Sequence, residues 1–307
     1  MRIVFFGTPA FAVPSLQALL QDRFTVAGVV TQPDKPQGRS RSDLISPPVK
    51  IAAQAAGIPV LQPVRPVGDV FTASLRRLEP DLGIVVAYGH ILRPEVLSLP
   101  PRGMINVHAS LLPRHRGAAP IQQAILAGDS QTGITIMQME EGLDSGPVLH
   151  HVSTPIGADE TAGSLAGRLA NLGAAALVEA LSLYAGGLAR PQPQDHSRAT
   201  YAPKLDRTVA RLVWESSAAT LVRQIRAFDP APGAWTNLNA GTLKLFGGKE
   251  APGWGEPGTV LEAAGQLVIA AGSGAVGVSE VQPAGKTRLP VEAWIRGRGI
   301  TVGQRLA

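Results

Sequence analysis

Apolar and polar positions along the first two-thirds of the chain follow two alternating rhythms. Short apolar runs at residues 2–6, 24–31, 58–61, 82–87 and 104–109 have the length and composition of strands covered on both faces. Between them the spacing is helical. Phe11, Leu16, Leu19 and Leu20 fall on one stripe after the first run, and residues 70–78 repeat the pattern after the third. Pro48 opens a further helix through Ala56, because proline's fixed φ suits a first helical turn. This alternation predicts a doubly wound, Rossmann-like α/β sheet, whose ligands bind at the carboxyl ends of the strands.

The texture then changes. Residues 160–187 read as one Ala- and Leu-rich helix, stopped by Gly186-Gly187. Residues 189–203 are proline-rich and polar, the composition of an extended linker. Beyond them, residues 208–228 read as helical, with Trp214 opening a short turn. Short apolar segments at 242–246, 258–262, 266–270 and 275–281 follow, separated by glycine, as in a small OB-like β-barrel. The expected organisation is a first domain over residues 1–188, a linker over 189–205 and a second domain over 206–307.

Composition narrows the function. The chain has 307 residues, of which 45% are apolar, enough for two cores. It has no cysteine, which removes disulfides, thiolate metal sites and cysteine nucleophiles together. The apolar start breaks at Gly7-Thr8-Pro9, so it reads as a first strand and not a secretory signal. No run approaches the roughly 18 apolar residues of a membrane span, and a soluble cytoplasmic protein, monomeric, is expected. Net charge is +5, unevenly spread: residues 200–307 hold 12 Lys and Arg against 8 Asp and Glu, leaving 16 against 15 elsewhere. A basic C-terminal third suits a phosphate-rich partner. The Gly7–Phe11 turn occupies the place of a dinucleotide loop but lacks GxGxxG, so it reads as a tight strand-to-helix turn.

Candidate chemistry gathers between Asn106 and Gly146. Residues i and i+2 of a strand share a face, so Asn106 and His108 project together. Asp144 follows in the glycine-flanked loop Gly142-Leu143-Asp144-Ser145-Gly146. A hydrogen-bond donor, an imidazole and an orienting carboxylate suit acyl transfer through an oxyanion, and no strong nucleophile stands beside them. Taken singly, each residue also fits a plainer role: a packed strand histidine, a capping amide, a turn aspartate. No cluster of His, Asp and Glu has metal-ligand spacing, and no metal is expected.

The stretch from Asn106 to Gly146, with Ser110-Leu111-Leu112-Pro113 and Arg116-Gly117-Ala118-Ala119-Pro120-Ile121 inside it, resembles the 10-formyltetrahydrofolate-dependent formyltransferases. The likeness extends to Gln282–Lys286 near the C-terminus and is strongest to the branch that formylates initiator methionyl-tRNA. It implies direct attack of an amine on the N10-formyl carbon, with Asn106, His108 and Asp144 as the catalytic trio. It implies a folate pocket built from Val86, Tyr88, Gly89, Ile91 and Leu92, together with Ser110, Leu111, Leu112 and Pro113. It also implies a loop directed at the tRNA acceptor stem, carrying Lys35, Arg39 and Arg41. That loop continues Ser40-Arg41-Ser42-Asp43 where many relatives have further lysines. Two alternatives stay open: a formyltransferase for a small amine, such as a sugar nucleotide or glycinamide ribonucleotide, and a non-catalytic folate- or RNA-binding module.

Overall fold

The computed structural model describes residues 1–37, 43–239, 241–297 and 299–307. Along the chain the strands of the first part are β1 (Arg2–Gly7), β2 (Thr25–Val30), β3 (Lys35–Gln37), β4 (Asp43–Ile45), β5 (Val60–Leu61), β6 (Leu82–Val86), β7 (Met104–His108), β8 (Arg116–Gly117), β9 (Gln131–Gln138), β10 (Val148–Pro155) and β11 (Tyr201–Ala202). The helices are α1 (Val13–Gln21), α2 (Pro48–Ala55), α3 (Asp69–Arg76), α4 (Pro94–Leu97), α5 (Pro120–Ala127) and α6 (Ala162–Ala185). The chain forms two compact units. The first comprises residues 1–120, 132–154 and 166–202, and the second comprises 121–131, 155–165 and 203–307.

A seven-stranded sheet in the order β10-β9-β7-β6-β1-β2-β5 is the frame of the first unit. Strands β5, β2, β1, β6 and β7 pair in parallel, and β9 runs antiparallel to β7. The all-apolar runs of the sequence are the central strands. Both faces of β1 are covered, so Ile3 and Phe5 on one side and Val4 and Phe6 on the other are fully buried. Val4, Phe6, Val85 and Met104 pack with Phe71 and Leu75 of α3 and with Tyr88, Leu92 and Val96. Gly133 in β9 is a close approach: a Cβ there would collide with the Val152 carbonyl oxygen and lie 2.6 Å from Leu111 Cδ2.

Two readings of the sequence change. Residues 189–203 are largely extended, broken by a 3-10 turn at His196–Arg198, but are not free. Gln192 exchanges two 2.8 Å backbone hydrogen bonds with Val148, Gln194 is buried, and β11 pairs with β8. Nor is 208–228 one helix. Only Thr208–Ala210, a 3-10 turn, and α7 (Ala218–Ala227) are helical. Between them Arg211 and Leu212 run beside Trp235, with Leu212 N–H donating to Trp235 O (2.8 Å). The expected turn at Trp214 is present, closed by Ser216 N–H to Val213 O (3.0 Å), and Trp214 Nε1 donates to Thr236 Oγ1 (3.0 Å). Ser217 then caps α7 by accepting from Thr220 N. Tertiary pairing outweighs helix propensity here.

The rest of the second unit is antiparallel. Its strands are β12 (Ala234–Leu238), β13 (Gly241–Phe246), β14 (Lys249–Ala251), β15 (Val260–Ala263), β16 (Leu267–Ala270), β17 (Ala275–Val278), β18 (Glu280–Pro283) and β19 (Leu289–Pro290), followed by α8 (Val291–Arg296). Hydrogen bonding divides them into two four-stranded sheets, β12-β13-β18-β19 and β14-β17-β16-β15. Leu243, Leu245 and Val281 from one sheet share a core with Val260, Ile269 and Val276 from the other, and with Leu221 and Ile225 of α7.

The first unit generates two predictions. Gly133→Ala overpacks the β9–β10 junction and should lower unfolding free energy by about 1–3 kcal/mol, read from urea midpoints; an unshifted midpoint would show that the contact yields. Tyr88, 1% exposed, has its phenol pushed up to about 12 by burial. A raised folded-state value favours the protonated ring in the fold, so its stabilising contribution is lost as pH rises through the ordinary value of 10.0 towards about 12. Tyr88→Phe should therefore lose less melting temperature than the parent between about pH 9 and pH 11.

Candidate functional site

Strand β7 lies between β6 and β9, with Asn106 opposite Val85 on one side and Met137 on the other. Hydrogen bonding on both edges fixes its register, so Asn106 and His108 share one face while Ile105 and Val107 take the other. Asp144 reaches the same face from the β9–β10 connection. Asn106 Nδ2 donates to Asp144 Oδ1 (3.4 Å), and His108 Nδ1 lies 3.6 Å from Asp144 Oδ2. Residues 38 positions apart in sequence thus meet, as the spacing alone did not require.

His108 is 5% exposed and its other ring nitrogen, Nε2, is 3.0 Å from the carbonyl oxygen of His115. A carbonyl only accepts, so Nε2 carries hydrogen and donates there. That leaves Nδ1 on the side of Asp144. The carboxylate is held in turn: the Gly117 amide donates to Oδ2 at 2.8 Å. Asp144 has φ +47°, in the left-handed region that side chains rarely adopt without support.

Several supporting residues escaped the sequence reading. Gln194 donates to the carbonyls of Asp144 (2.9 Å) and Gly146 (2.7 Å). Arg116 donates to Gln194 Oε1 from Nε (3.1 Å) and Nη2 (2.6 Å). Thr135 Oγ1 accepts from Leu112 N and donates to Ser110 O. Arg116 lay inside the resembling segment. Gln194 carried no signal, because a polar residue in a proline-rich stretch reads as solvated.

The predicted folate pocket residues divide by environment. Val86, Tyr88 and Leu92 are buried, whereas Ile91 is 88% exposed. The turn after β6 carries positive φ at Ala87 and Gly89. A Cβ at Gly89 would lie 2.5 Å from Gln32 Nε2, which donates to Tyr88 O, as does Thr8 Oγ1. Ser110 is fully buried and its hydroxyl donates to Arg114 O at 2.6 Å, so its side chain serves its own loop. Leu111, Leu112 and Pro113 are half-buried beside it.

Of the predicted tRNA loop, Lys35 is exposed on β3, while Arg39 and Arg41 lie outside the described residues. The root of this loop is pinned by Asp34, whose carboxylate accepts from Gln62 (2.8 Å), Lys50 (2.7 Å) and Ser46 (3.1 Å). The Gln62 and Lys50 bonds hold the Asp34 carboxyl below its ordinary range. A cleft of about 260 Å³ lined by Thr8, Pro9, Pro33, Pro36, Ile45 and Pro47 adjoins it. Among the described residues no group of three or more His, Asp or Glu side chains is placed to hold a metal ion, and no helix is long and apolar enough to cross a membrane.

Two family profiles match the chain: formyl transferase over residues 1–181, and the formyl transferase C-terminal domain over residues 204–299. Curated relatives span it nearly end to end. The methionyl-tRNA formyltransferase of Pseudomonas paraeruginosa is 50% identical over 93% of this chain and 93% of its own. That of Acidiphilium cryptum is 46% identical over 100% of both, and that of Roseiflexus sp. strain RS-1 is 44% identical over 100% of this chain and 95% of its own. Among solved structures, HypX from Aquifex aeolicus in complex with tetrahydrofolic acid superposes with a TM-score of 0.67 at 22% identity, over 97% of this chain and 47% of that one. WlaRD, a sugar 3N-formyl transferase, gives 0.69 at 18% identity, over 94% and 99%. These distant likenesses speak to the fold. The chain belongs to the formyl transferase family, within the group whose curated members are methionyl-tRNA formyltransferases.

Proposed function

We propose that this chain transfers the formyl group of 10-formyltetrahydrofolate to the α-amine of methionyl-tRNA, with Asn106, His108 and Asp144 as the catalytic residues. One observation carries the reading: an amide donor and an imidazole on a single strand face, both within 3.6 Å of one carboxylate oxygen or the other. The amine attacks the formyl carbon, and negative charge grows on the formyl oxygen. A side-chain amide such as that of Asn106, donating to this oxygen, contributes about 10²–10³ in rate. The amine gives up a proton, and the folate nitrogen takes one as its bond to the formyl carbon breaks. One group that takes and returns a proton balances the exchange. His108 Nδ1 serves this role, since Nε2 is committed to His115 O. The charged ring formed midway faces Asp144 Oδ2.

The folate sits, in this reading, against the 86–92 turn and the 110–113 loop, where exposed Ile91 gains cover from a flat heterocycle. Lys35, Arg39 and Arg41 meet acceptor-stem phosphates. The basic C-terminal unit adds a second, sequence-independent hold on the tRNA. Catalysis is assigned to residues 1–188 and tRNA holding to 206–307, in a monomer working in the cytoplasm. Curated methionyl-tRNA formyltransferases matched over 93–100% of their own length favour methionyl-tRNA over a small amine as the acceptor.

Incubation with 10-formyltetrahydrofolate and methionyl-tRNA, followed by deacylation, should release formylmethionine; free methionine alone would sink the reading. His108→Ala should lower turnover by about 10²–10⁴-fold with the fold intact by circular dichroism, and retention of more than about a tenth would remove His108 from the chemistry. Adding Asn106→Ala should cost far less than its effect alone, since the trio acts as a unit. Replacing Lys35 and Arg39 by Ala should raise KM for methionyl-tRNA and make its salt dependence shallower, while leaving KM for the folate unchanged. Equal changes in both KM values would instead mark the loop as structural.

A further inference from the structure

We propose that Gln194, backed by Arg116, is a positioning residue that sets the Asp144 carboxylate for the reaction. The proposal rests on the reading of Asp144 given under Proposed function. Gln194 is 7% exposed and spends its whole hydrogen-bonding capacity on this task. Its two amide hydrogens go to the carbonyls of Asp144 (2.9 Å) and Gly146 (2.7 Å), the two ends of the turn that carries the carboxylate. Its oxygen takes two hydrogens from Arg116, at 3.1 and 2.6 Å. A primary amide has no more to offer.

Orientation follows from this pairing. Arg116 cannot accept a hydrogen bond, so the Gln194 oxygen must face it and the NH₂ must face the turn. Arg116 is itself 4% exposed, and the same Nη2 that donates to Gln194 also lies 3.2 Å from His196 Nδ1, a second partner that helps fix the guanidinium. The residue after Arg116 supplies the Gly117 amide that holds Asp144 Oδ2 at 2.8 Å. One short segment, Arg116-Gly117, therefore grips Asp144 twice: directly at the side chain, and through Gln194 at the backbone. The β8–β11 pairing ties Arg116 and Gly117 to Tyr201 and Ala202, so Gln194 and the 116–117 segment are held in the same unit.

Asp144 needs such a grip. With φ +47° its backbone is in a conformation that a non-glycine residue leaves unless neighbours hold it. Its contacts to Asn106 (3.4 Å) and His108 (3.6 Å) are long enough that a small turn rotation breaks either. Loss of the Gln194 donors frees that rotation without removing any group that touches substrate.

Gln194→Glu is the decisive variant. It keeps size and an acceptor for Arg116, but turns oxygens, not N–H groups, towards the two carbonyls. We expect kcat for formylation of methionyl-tRNA to fall about tenfold or more, as loss of an outer-layer partner of a catalytic group does, with KM for folate and tRNA within about threefold. In single-turnover assays on an Asp144→Ala background the same change should cost nothing further, because the residue acts only through Asp144. Should Gln194→Glu not refold, Gln194→Met, equal in volume and without donors, carries the same expectations. A kcat within about twofold of the parent, or an equal loss with Asp144 absent, overturns the proposal while the parent still makes formylmethionine. A parent that makes none overturns the underlying reading, and this proposal with it.

Discussion

Strand β7 cannot slip, and the site depends on that. It is hydrogen-bonded in parallel to β6 and antiparallel to β9, and both of its faces are covered. A shift of one residue would turn Ile105 and Val107 towards the site and bury Asn106 and His108 in the core. The penalty for burying an amide and an imidazole without partners excludes that register. The geometry of the candidate site is thereby set by the same hydrophobic pattern that builds the sheet.

Around that fixed strand, the remaining parts of the site are loops held by hydrogen bonds to backbone. Thr8 and Gln32 both donate to Tyr88 O and steady the turn after β6. Thr135 ties Ser110 to Leu112, and Asp34 gathers Gln62, Lys50 and Ser46 at the root of the β3–β4 hairpin. Gly117 and Gln194 hold the Asp144 turn. A rigid strand carries two of the three candidate side chains, and the third stands on a turn whose conformation costs energy and is held from outside. Where a reacting group must be accurate to fractions of an ångström, such buried polar support contributes more than added contact area.

The second unit is stabilised in a different manner. Its two sheets share one apolar core with α7, and Trp214 lies in that core with its ring nitrogen satisfied by Thr236. Cations decorate its surface: Arg207 and Arg211 stand over the Trp235 ring, at 5.4 and 5.8 Å. Arg288 bridges Asp229 and Glu280, which desolvation opposes and the two carboxylates more than offset, so its guanidinium is held charged. Residues 121–131 and 155–165, which precede the proline-rich stretch, belong to this unit, and Leu126 packs on its core.

Local patterns in the chain determined the parallel strands, α1 to α3, the long α6 and the shared face of Asn106 and His108, because periods of 2 and 3.6 are properties of neighbouring residues. Resemblance over the Asn106–Gly146 stretch added the family and Asp144. Local pattern failed where long-range pairing decided the outcome. Arg211 and Leu212 gave up helix to run beside Trp235, and the supposed linker became a strap because Val148, β8 and the Asp144 turn offered it partners. Gln194 shows the reason most plainly. Its four hydrogen bonds reach residues 48 to 78 positions away, and no window of sequence contains them. Which polar residue is solvated and which is buried at work is decided only when the chain has folded around it.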